Sequence, residues 1–261
     1  MDKIRPLKQF GQNYLKDRNI LLKIVNEISP KEEDALIEIG PGMGMLTQEL
    51  YSRTRNMTAV EIDRRVIEEL KTEFPTLRLI NGDFLKIDLK EIYNEKQKPL
   101  RIAGNIPYNI TSPIIFKLIE NITLVEDAVF MVQYEVARRL SAIQGSEDYG
   151  ILAVILKYFA DVELCFKVSP NVFYPKPKVF SAVVHIRFNN TRTDEPFNKL
   201  FRSIVKASFG NRRKTLKNSL NNSIFSGINF EGSGIDLSKR AEQLKVEDFI
   251  QLTDFVKGKQ Q

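Results

Sequence analysis

The sequence contains one cysteine, Cys165, one histidine, His185, and no tryptophan. A disulfide within the chain is excluded, and no Cys/His zinc site can be assembled. Ser-His-Asp chemistry would have to rest on His185, which lies in the strand-like run "SAVVHIRF" and reads as structural. A magnesium site of Asp/Glu ligands stays open but has no motif here, and no metal site is assigned. Long apolar runs are missing too: none approaches the roughly 20 residues of a membrane span. The most apolar stretch, Ile151 to Ala160, is interrupted by Lys157. The start, "MDKIRPLKQFGQN", is polar and basic with no apolar segment behind it, so no secretory signal is expected. These absences point to a reducing, cytoplasmic compartment and to chemistry that a cofactor supplies.

Acidic residues are scarce where basic ones gather. Net charge is +6 with a pI of about 9.2, which favours an anionic partner. From Pro196 to Phe230 there is no Asp or Glu, yet Lys199, Arg202, Lys206, Arg212, Arg213, Lys214 and Lys217 fall there. By composition alone this is either a nucleic-acid patch or a solvated face.

What is present in quantity is alternation. "ALIEIG", "MTAVEID", "LRLING", "LRIAGN" and "DAVFMV" read as strands of a buried sheet. Helix-like stretches lie between them, at Met45 to Arg53, Arg64 to Phe74 and Ser112 to Asn121. The series implies a mostly parallel sheet wrapped by helices. "VELCFKV" and "SAVVHIRF", joined by the loop "SPNVFYPKPKV", predict an antiparallel end to it. "NNTRTDEP" reads as a linker. It divides residues 1–189 from a smaller helical domain, 190–261, whose helical spacing is broken by "SGINFEGSG".

In "ALIEIGPGMGMLTQEL" a strand leads through Gly40, Gly42 and Gly44 into a helix. Glycines at a strand's carboxyl end let the backbone approach a ligand closely. The dinucleotide spacing G-x-G-x-x-G fails, because Met45 or Thr47 falls at the third glycine. G-x-G-x-G suits a cofactor without a pyrophosphate, S-adenosylmethionine first among them. The following strand ends with Glu61 and Ile62, about 20 residues on, where an acid can accept from both ribose hydroxyls. The next ends with Asp83, an acceptor for an adenine amino group, and Phe84 beside it can lie against the ring.

"RIAGNIPYNI" closes the fourth strand with Asn105-Ile106-Pro107-Tyr108. An exocyclic amine on a base is a poor nucleophile, since its lone pair is delocalised into the ring. To attack a methyl sulfonium it must be pyramidalised, with acceptors for its N–H groups. Asn105 offers a side-chain carbonyl, and the backbone carbonyl of Ile106 or Pro107 offers a second. Pro107 stiffens the turn. Tyr108 presents a flat face for an unstacked base, worth roughly 1–3 kcal/mol. No general base is required, which agrees with the scarcity of histidine and cysteine.

With these residues in view, the chain resembles the ribosomal RNA small-subunit adenine dimethyltransferases over nearly its whole length. "LKQFGQNYL" is similar to the family's opening motif and carries cofactor contacts onto Asn13 and Leu15, with Gln12 nearby. "EIGPGMGMLT", Glu61, Asp83 and Asn105 match its glycine, ribose, adenine and amine positions. "FMVQYEVARRL", "FYPKPKVFSAVV" and "FGNRRKTLKNSL" look like its later signatures. Tyr14 stands where phenylalanine is commoner, and Tyr134 where lysine is commoner. The resemblance implies a Rossmann-like, class I S-adenosylmethionine-dependent methyltransferase of seven strands with a small helical C-terminal domain. It implies that two adjacent adenosines, in a hairpin loop near the 3′ end of small-subunit rRNA, each receive two methyls on N6. The implied substrate is an assembling small subunit; a monomer is expected, with no membrane or DNA partner. It adds Phe173 as a second aromatic against the target base. It makes Arg212, Arg213, Lys214 and Lys217 phosphate contacts, with Arg138 and Arg139 as weaker candidates that equally suit a helix end. Three rivals remain at this point: a large-subunit enzyme of the macrolide-resistance type, a non-catalytic assembly factor, and a DNA adenine methyltransferase. "RRKTLKNSL" favours the small subunit, the intact Glu61, Asp83 and Asn105 favour an enzyme, and Ile106 departs from the double proline of DNA enzymes.

Overall fold

Strands whose residues are apolar on both faces must lie inside a layered fold. The computed structural model of the chain describes residues 12–211 and 213–259; Arg212 lies outside the described residues. β1 (Tyr14–Leu15) leads to α1 (Arg18–Ile28), β2 (Ala35–Ile39), α2 (Met45–Tyr51), β3 (Met57–Glu61), α3 (Arg64–Glu73) and β4 (Arg78–Asn81). Then come α4 (Leu89–Lys96), β5 (Leu100–Asn105), α5 (Thr111–Glu120) and β6 (Val125–Gln133). After α6 (Tyr134–Leu140) and α7 (Ile151–Phe159) the chain forms β7 (Ala160–Val168), β8 (Phe173–Tyr174) and β9 (Ser181–Phe188). It ends in α8 (Glu195–Phe209), α9 (Leu216–Asn221) and α10 (Val246–Lys259).

One sheet of seven strands has the order β4-β3-β2-β5-β6-β9-β7. The five strands from β4 to β6 pair in parallel, and β9 runs antiparallel to β6, as the second half of the sequence predicts. The chain steps outward from β2 to β4, then returns to lay β5 on the other side of β2. Crossovers between parallel strands are right-handed as a rule, and a chain that reverses direction in the sheet order then covers both faces with helices. The reversal between β2 and β5 is the switch point at which ligands enter open α/β sheets.

The helices form for local reasons. In α1 the Asp17 carboxylate caps the first turn, accepting from the N–H groups of Asn19 and Ile20 at 2.9 and 3.1 Å. Leu21, Ile24, Val25 and Ile28 then fall on one buried face at helical spacing. They join Leu36, Ala103, Val129 and Val183 of the sheet in one apolar core.

Contacts divide the chain into two compact units. One runs through Ala137 and resumes at Val162–Asn190; the other joins Arg138–Asp161 to the residues from Thr191 onward. A single boundary near residue 190 therefore misses the segment 138–161. Its helix α7, "ILAVILKYF", has one charge and is apolar almost all round, so it needs cover on several sides. The Tyr158 ring stacks on Phe201 of α8 at 4.2 Å between centroids, and Phe159 meets the same ring edge-on. The Tyr158 hydroxyl donates to Asn198 Oδ1 at 3.1 Å, which satisfies both buried groups. No helix among the described residues is long and apolar enough to cross a membrane.

Candidate active site

One pocket opens at the switch point. Its lining takes in Gln12, Asn13 and Leu15, the glycine loop after β2, Glu61 and Ile62 after β3, Asp83 and Phe84 after β4, and Asn105 to Tyr108 after β5. Parallel strands bring these ends together, because every one of them finishes at the same edge of the sheet.

The glycine loop is built from positive φ angles: +66° at Gly40, +54° at Gly42 and +75° at Gly44. A Cβ on Gly42 would stand 2.9 Å from the Tyr14 ring, so the loop and that ring share one contact surface. Gly44 differs from the expectation. It does not line the pocket; a Cβ there would strike Leu70 at 2.9 Å, so this glycine lets α3 pack close.

Glu61 is buried, yet both its oxygens are engaged by backbone: one accepts the Asp63 N–H at 2.9 Å, the other the Gly42 N–H at 3.3 Å. Burial pushes its carboxyl above the usual range, and these N–H donors oppose that shift. The bonds hold the carboxylate still while leaving lone pairs for hydroxyl donors. Asp83 accepts the Leu85 N–H at 3.0 Å, capping a 3-10 turn that buries Phe84 against the pocket. Ile62 is 48% exposed and Met45 40%, two large apolar side chains turned out at the rim, where an aromatic ligand would cover them.

In the Asn105 turn, the side-chain amide donates from Nδ2 to the Asn13 carbonyl at 2.8 Å. That bond assigns the amide's orientation and leaves Oδ1 as an acceptor. The Pro107 carbonyl already takes the Ile110 N–H at 3.2 Å, so of the two backbone carbonyls considered, that of Ile106 is the less encumbered. The Tyr108 hydroxyl is paired with Ser181 Oγ at 2.8 Å, which fixes the ring. Gly104 matters just before it. A Cβ there would meet the Ile39 carbonyl oxygen at 2.4 Å, so only glycine lets β5 lie this close to β2.

Phe173 is a second departure. It is buried, pairs in register with Leu15 across the β1–β8 ribbon, belongs to the apolar core and does not line the pocket. Strand alternation turns its neighbour Tyr174 outward instead. Arg138 and Arg139 occupy the last turn of α6, with Arg138 ion-paired to Asp148. Arg213, Lys214 and Lys217 are exposed. The described residues contain no cluster of side chains able to hold a metal ion.

Two residues not assigned to the site from the sequence also line the pocket. Glu38 lies in mid-strand, fully buried against the pocket, and accepts the Thr47 hydroxyl at 2.7 Å. Burial pushes its carboxyl up to about 8. The signal was an acid inside the otherwise apolar run "ALIEIG". Since the folded value exceeds the unfolded one of 4.5, unfolding releases a proton between them, and stability falls as pH rises from about 5 to 8. Glu38→Gln keeps the pairing with Thr47 and stays neutral. It is expected to match the wild type near pH 5 and exceed it by roughly 2–4 kcal/mol at pH 8 in urea unfolding. The other residue is Tyr14, whose buried hydroxyl has no hydrogen-bond partner among the described residues.

Solved structures share this architecture. A dimethyladenosine transferase from Plasmodium falciparum superposes with a TM-score of 0.78 at 28% identity, over 93% of this chain and 97% of that one. The 23S rRNA methyltransferase ErmE superposes at 0.69 with 26% identity, over 92% and 98%. The fold is thus that of a Rossmann-like class I methyltransferase with a helical C-terminal part, and the methyl donor of that class is S-adenosylmethionine. Two curated proteins named ribosomal RNA small subunit methyltransferase A are similar throughout. That of Chlorobium phaeobacteroides is 48% identical over 94% of this chain and 91% of its own; that of Francisella tularensis subsp. novicida is 41% identical over 97% and 98%. The chain belongs to the ribosomal RNA adenine dimethylase family, which matches residues 3–257.

The pocket's own atoms suit that donor. A buried hydroxyl without a partner among the described residues, a carboxylate held with lone pairs to spare, and exposed apolar side chains at the rim are a matched set for a nucleoside.

Proposed function

We propose that the protein transfers methyl groups from S-adenosylmethionine to N6 of two adjacent adenosines in the 3′-terminal hairpin loop of small-subunit rRNA. The single observation carrying this is the convergence of the glycine loop, Glu61, Asp83 and the Asn105 turn on one pocket. When bound, the donor supplies an electrophilic methyl carbon on a sulfonium. Gln12, Asn13, Leu15, Gly40 and Gly42 line its place, Glu61 accepts from ribose, and Asp83 with Ile62 and Phe84 takes the adenine. Asn105 Oδ1 and the Ile106 carbonyl accept the N–H groups of the target amine, drawing its lone pair out of conjugation. Pro107 keeps the carbonyls in place, and Tyr108 carries the flipped-out ring. The work of the protein is alignment and acceptance of hydrogen bonds, and no side chain removes a proton before attack.

We place the substrate in an assembling small subunit in the cytoplasm and the enzyme as a monomer. Incubating the protein and labelled methyl donor with unmethylated small subunits, then mapping by primer extension, tests this. Two adjacent modified adenosines near the 3′ end are expected; label on the large subunit, or none, would reject it.

Tyr14 lines the pocket, and among the described residues its hydroxyl is a spare donor. Burial and the neighbouring Glu61 and Asp63 carboxylates push it up to about 12, so it keeps its proton. Tyr14→Phe is expected to weaken donor binding roughly tenfold, the worth of about one hydrogen bond, by titration calorimetry. Unchanged affinity would leave the hydroxyl without this role. Exposed Arg213, Lys214 and Lys217 serve as phosphate contacts. Replacing all three with alanine is expected to weaken subunit binding and to flatten the slope of log Kd against log salt by about 2–3. An unchanged slope would put the phosphate contacts elsewhere.

A further inference from the structure

From Leu164 to Thr193 the sequence has no acidic residue, and Lys167, Lys176, Lys178, Arg187 and Arg192 fall within it. The fold gathers part of this run beside the acceptor turn. Lys167, exposed near the end of β7, holds its ammonium 4.3 Å from the Tyr134 ring centroid and 4.1 Å from that of Phe180. The Tyr134 N–H donates to the Phe180 carbonyl at 2.9 Å, which locks the two aromatics side by side where β6 ends and β9 begins. Phe180 nevertheless remains 46% exposed. Its next neighbour is Ser181, whose hydroxyl grips Tyr108 at 2.8 Å. The exposed ring therefore stands one residue from the group that fixes the proposed base-stacking tyrosine.

We infer that Phe180, Tyr134 and Lys167 form a platform that receives the nucleotide next to the target adenosine, and thereby hold the loop strand with its target unstacked. This deepens the reading given under Proposed function and rests on it. The chemistry favours that occupant. A base has a π face for the exposed Phe180 ring, and its phosphate complements a cation set in an acid-free stretch. Exposed Lys176 and Lys178 continue the positive charge along the same loop. Tyr134, where a lysine would be commoner in the resembling family, leaves no gap in charge here, since Lys167 brings its ammonium over that ring from β7, on the far side of β9.

The test uses small subunits reconstituted on rRNA ligated from a synthetic 3′ fragment. The fragment is either unmodified or carries one abasic nucleotide on the 5′ or the 3′ side of a target adenosine. On unmodified subunits, Phe180→Ala is expected to raise KM for the subunit roughly tenfold with kcat within about twofold, the loss of one stacked base. On one of the two abasic substrates the wild type should show a comparable rise, and Phe180→Ala should add nothing to it. Lys167→Gln is expected to lower the slope of log Kd against log salt by about 0.7, one phosphate contact. Equal wild-type-to-variant ratios on all three substrates would overturn the inference, assigning this face to a different RNA segment or to a ribosomal protein. So would an unaltered KM in Phe180→Ala. If that variant does not fold, the wild type decides: a KM unmoved by either abasic nucleotide overturns the platform. Failure of the wild type to methylate unmodified subunits would instead strike the function itself.

Discussion

Asn105→Ala is expected to cut single-turnover methyl transfer roughly 10²–10³-fold, the usual cost of removing one acceptor or donor aimed at a reacting group. The side chain has two duties. Its Nδ2 ties the turn to the Asn13 carbonyl at 2.8 Å, and that tie aims Oδ1 as the acceptor. From sequence alone, donor binding should survive the change. The structure amends this, because Asn13 lines the same pocket and loses its tether. A modest loss of donor affinity by calorimetry is expected beside the large loss of rate. Asn105→Asp cannot donate to the Asn13 carbonyl and should be no better. Wild-type rates in the alanine variant would remove Asn105 from the chemistry.

Asp127→Ala is expected to destabilise the protein by about 3–5 kcal/mol in urea unfolding, since it strands buried partners. Asp127 on β6 accepts from Arg101 Nε at 2.9 Å and from the second guanidinium nitrogen at 2.7 Å. His185 Nε2 lies 2.8 Å from the same carboxylate, and its Nδ1 is 3.0 Å from Glu27. Arg101 also reaches Asp34 at 2.6 Å and the Ile28 carbonyl at 2.7 Å. Burial pushes the Asp127 carboxyl up, but the hydrogen bonds from Arg101 and His185 outweigh it and hold the carboxyl below its ordinary 3.8. With the folded value depressed, this stabilisation is present above about pH 4 and is lost as pH falls through the folded value. The alanine variant should therefore lose less stability on acidification than the wild type does. A variant as stable as the wild type at pH 7 would show that the cluster contributes nothing net.

That cluster also explains His185. Its place in an apolar strand marks it as structural, and the fold supplies the reason: on the neighbouring strand Asp127 stands opposite Arg187, two residues from His185 and so on the same face of the sheet. Nothing in the local pattern of Asp127 or Arg101 announces the pairing, because the partners are 26 and 58 residues apart along the chain. Gly104 is another case. In "RIAGN" it reads as an ordinary weak point in a strand; only the backbone of β2 lying against it shows why a side chain has no room.

The sequence by itself determined the alternation of strand and helix, the antiparallel end of the sheet, the glycine loop, and the order in which Glu61, Asp83 and Asn105 follow it. These are legible because periodicity and turn chemistry act over a few residues. Tertiary structure alone decided which side chains face the pocket. Gly44 turned to α3 and Phe173 to the core, while Glu38 and Tyr14 came into the site. It also decided that residues 138–161 join the C-terminal helices. Facing is set by contacts between segments far apart in the chain, and burial of an apolar helix depends on whichever surface is there to cover it.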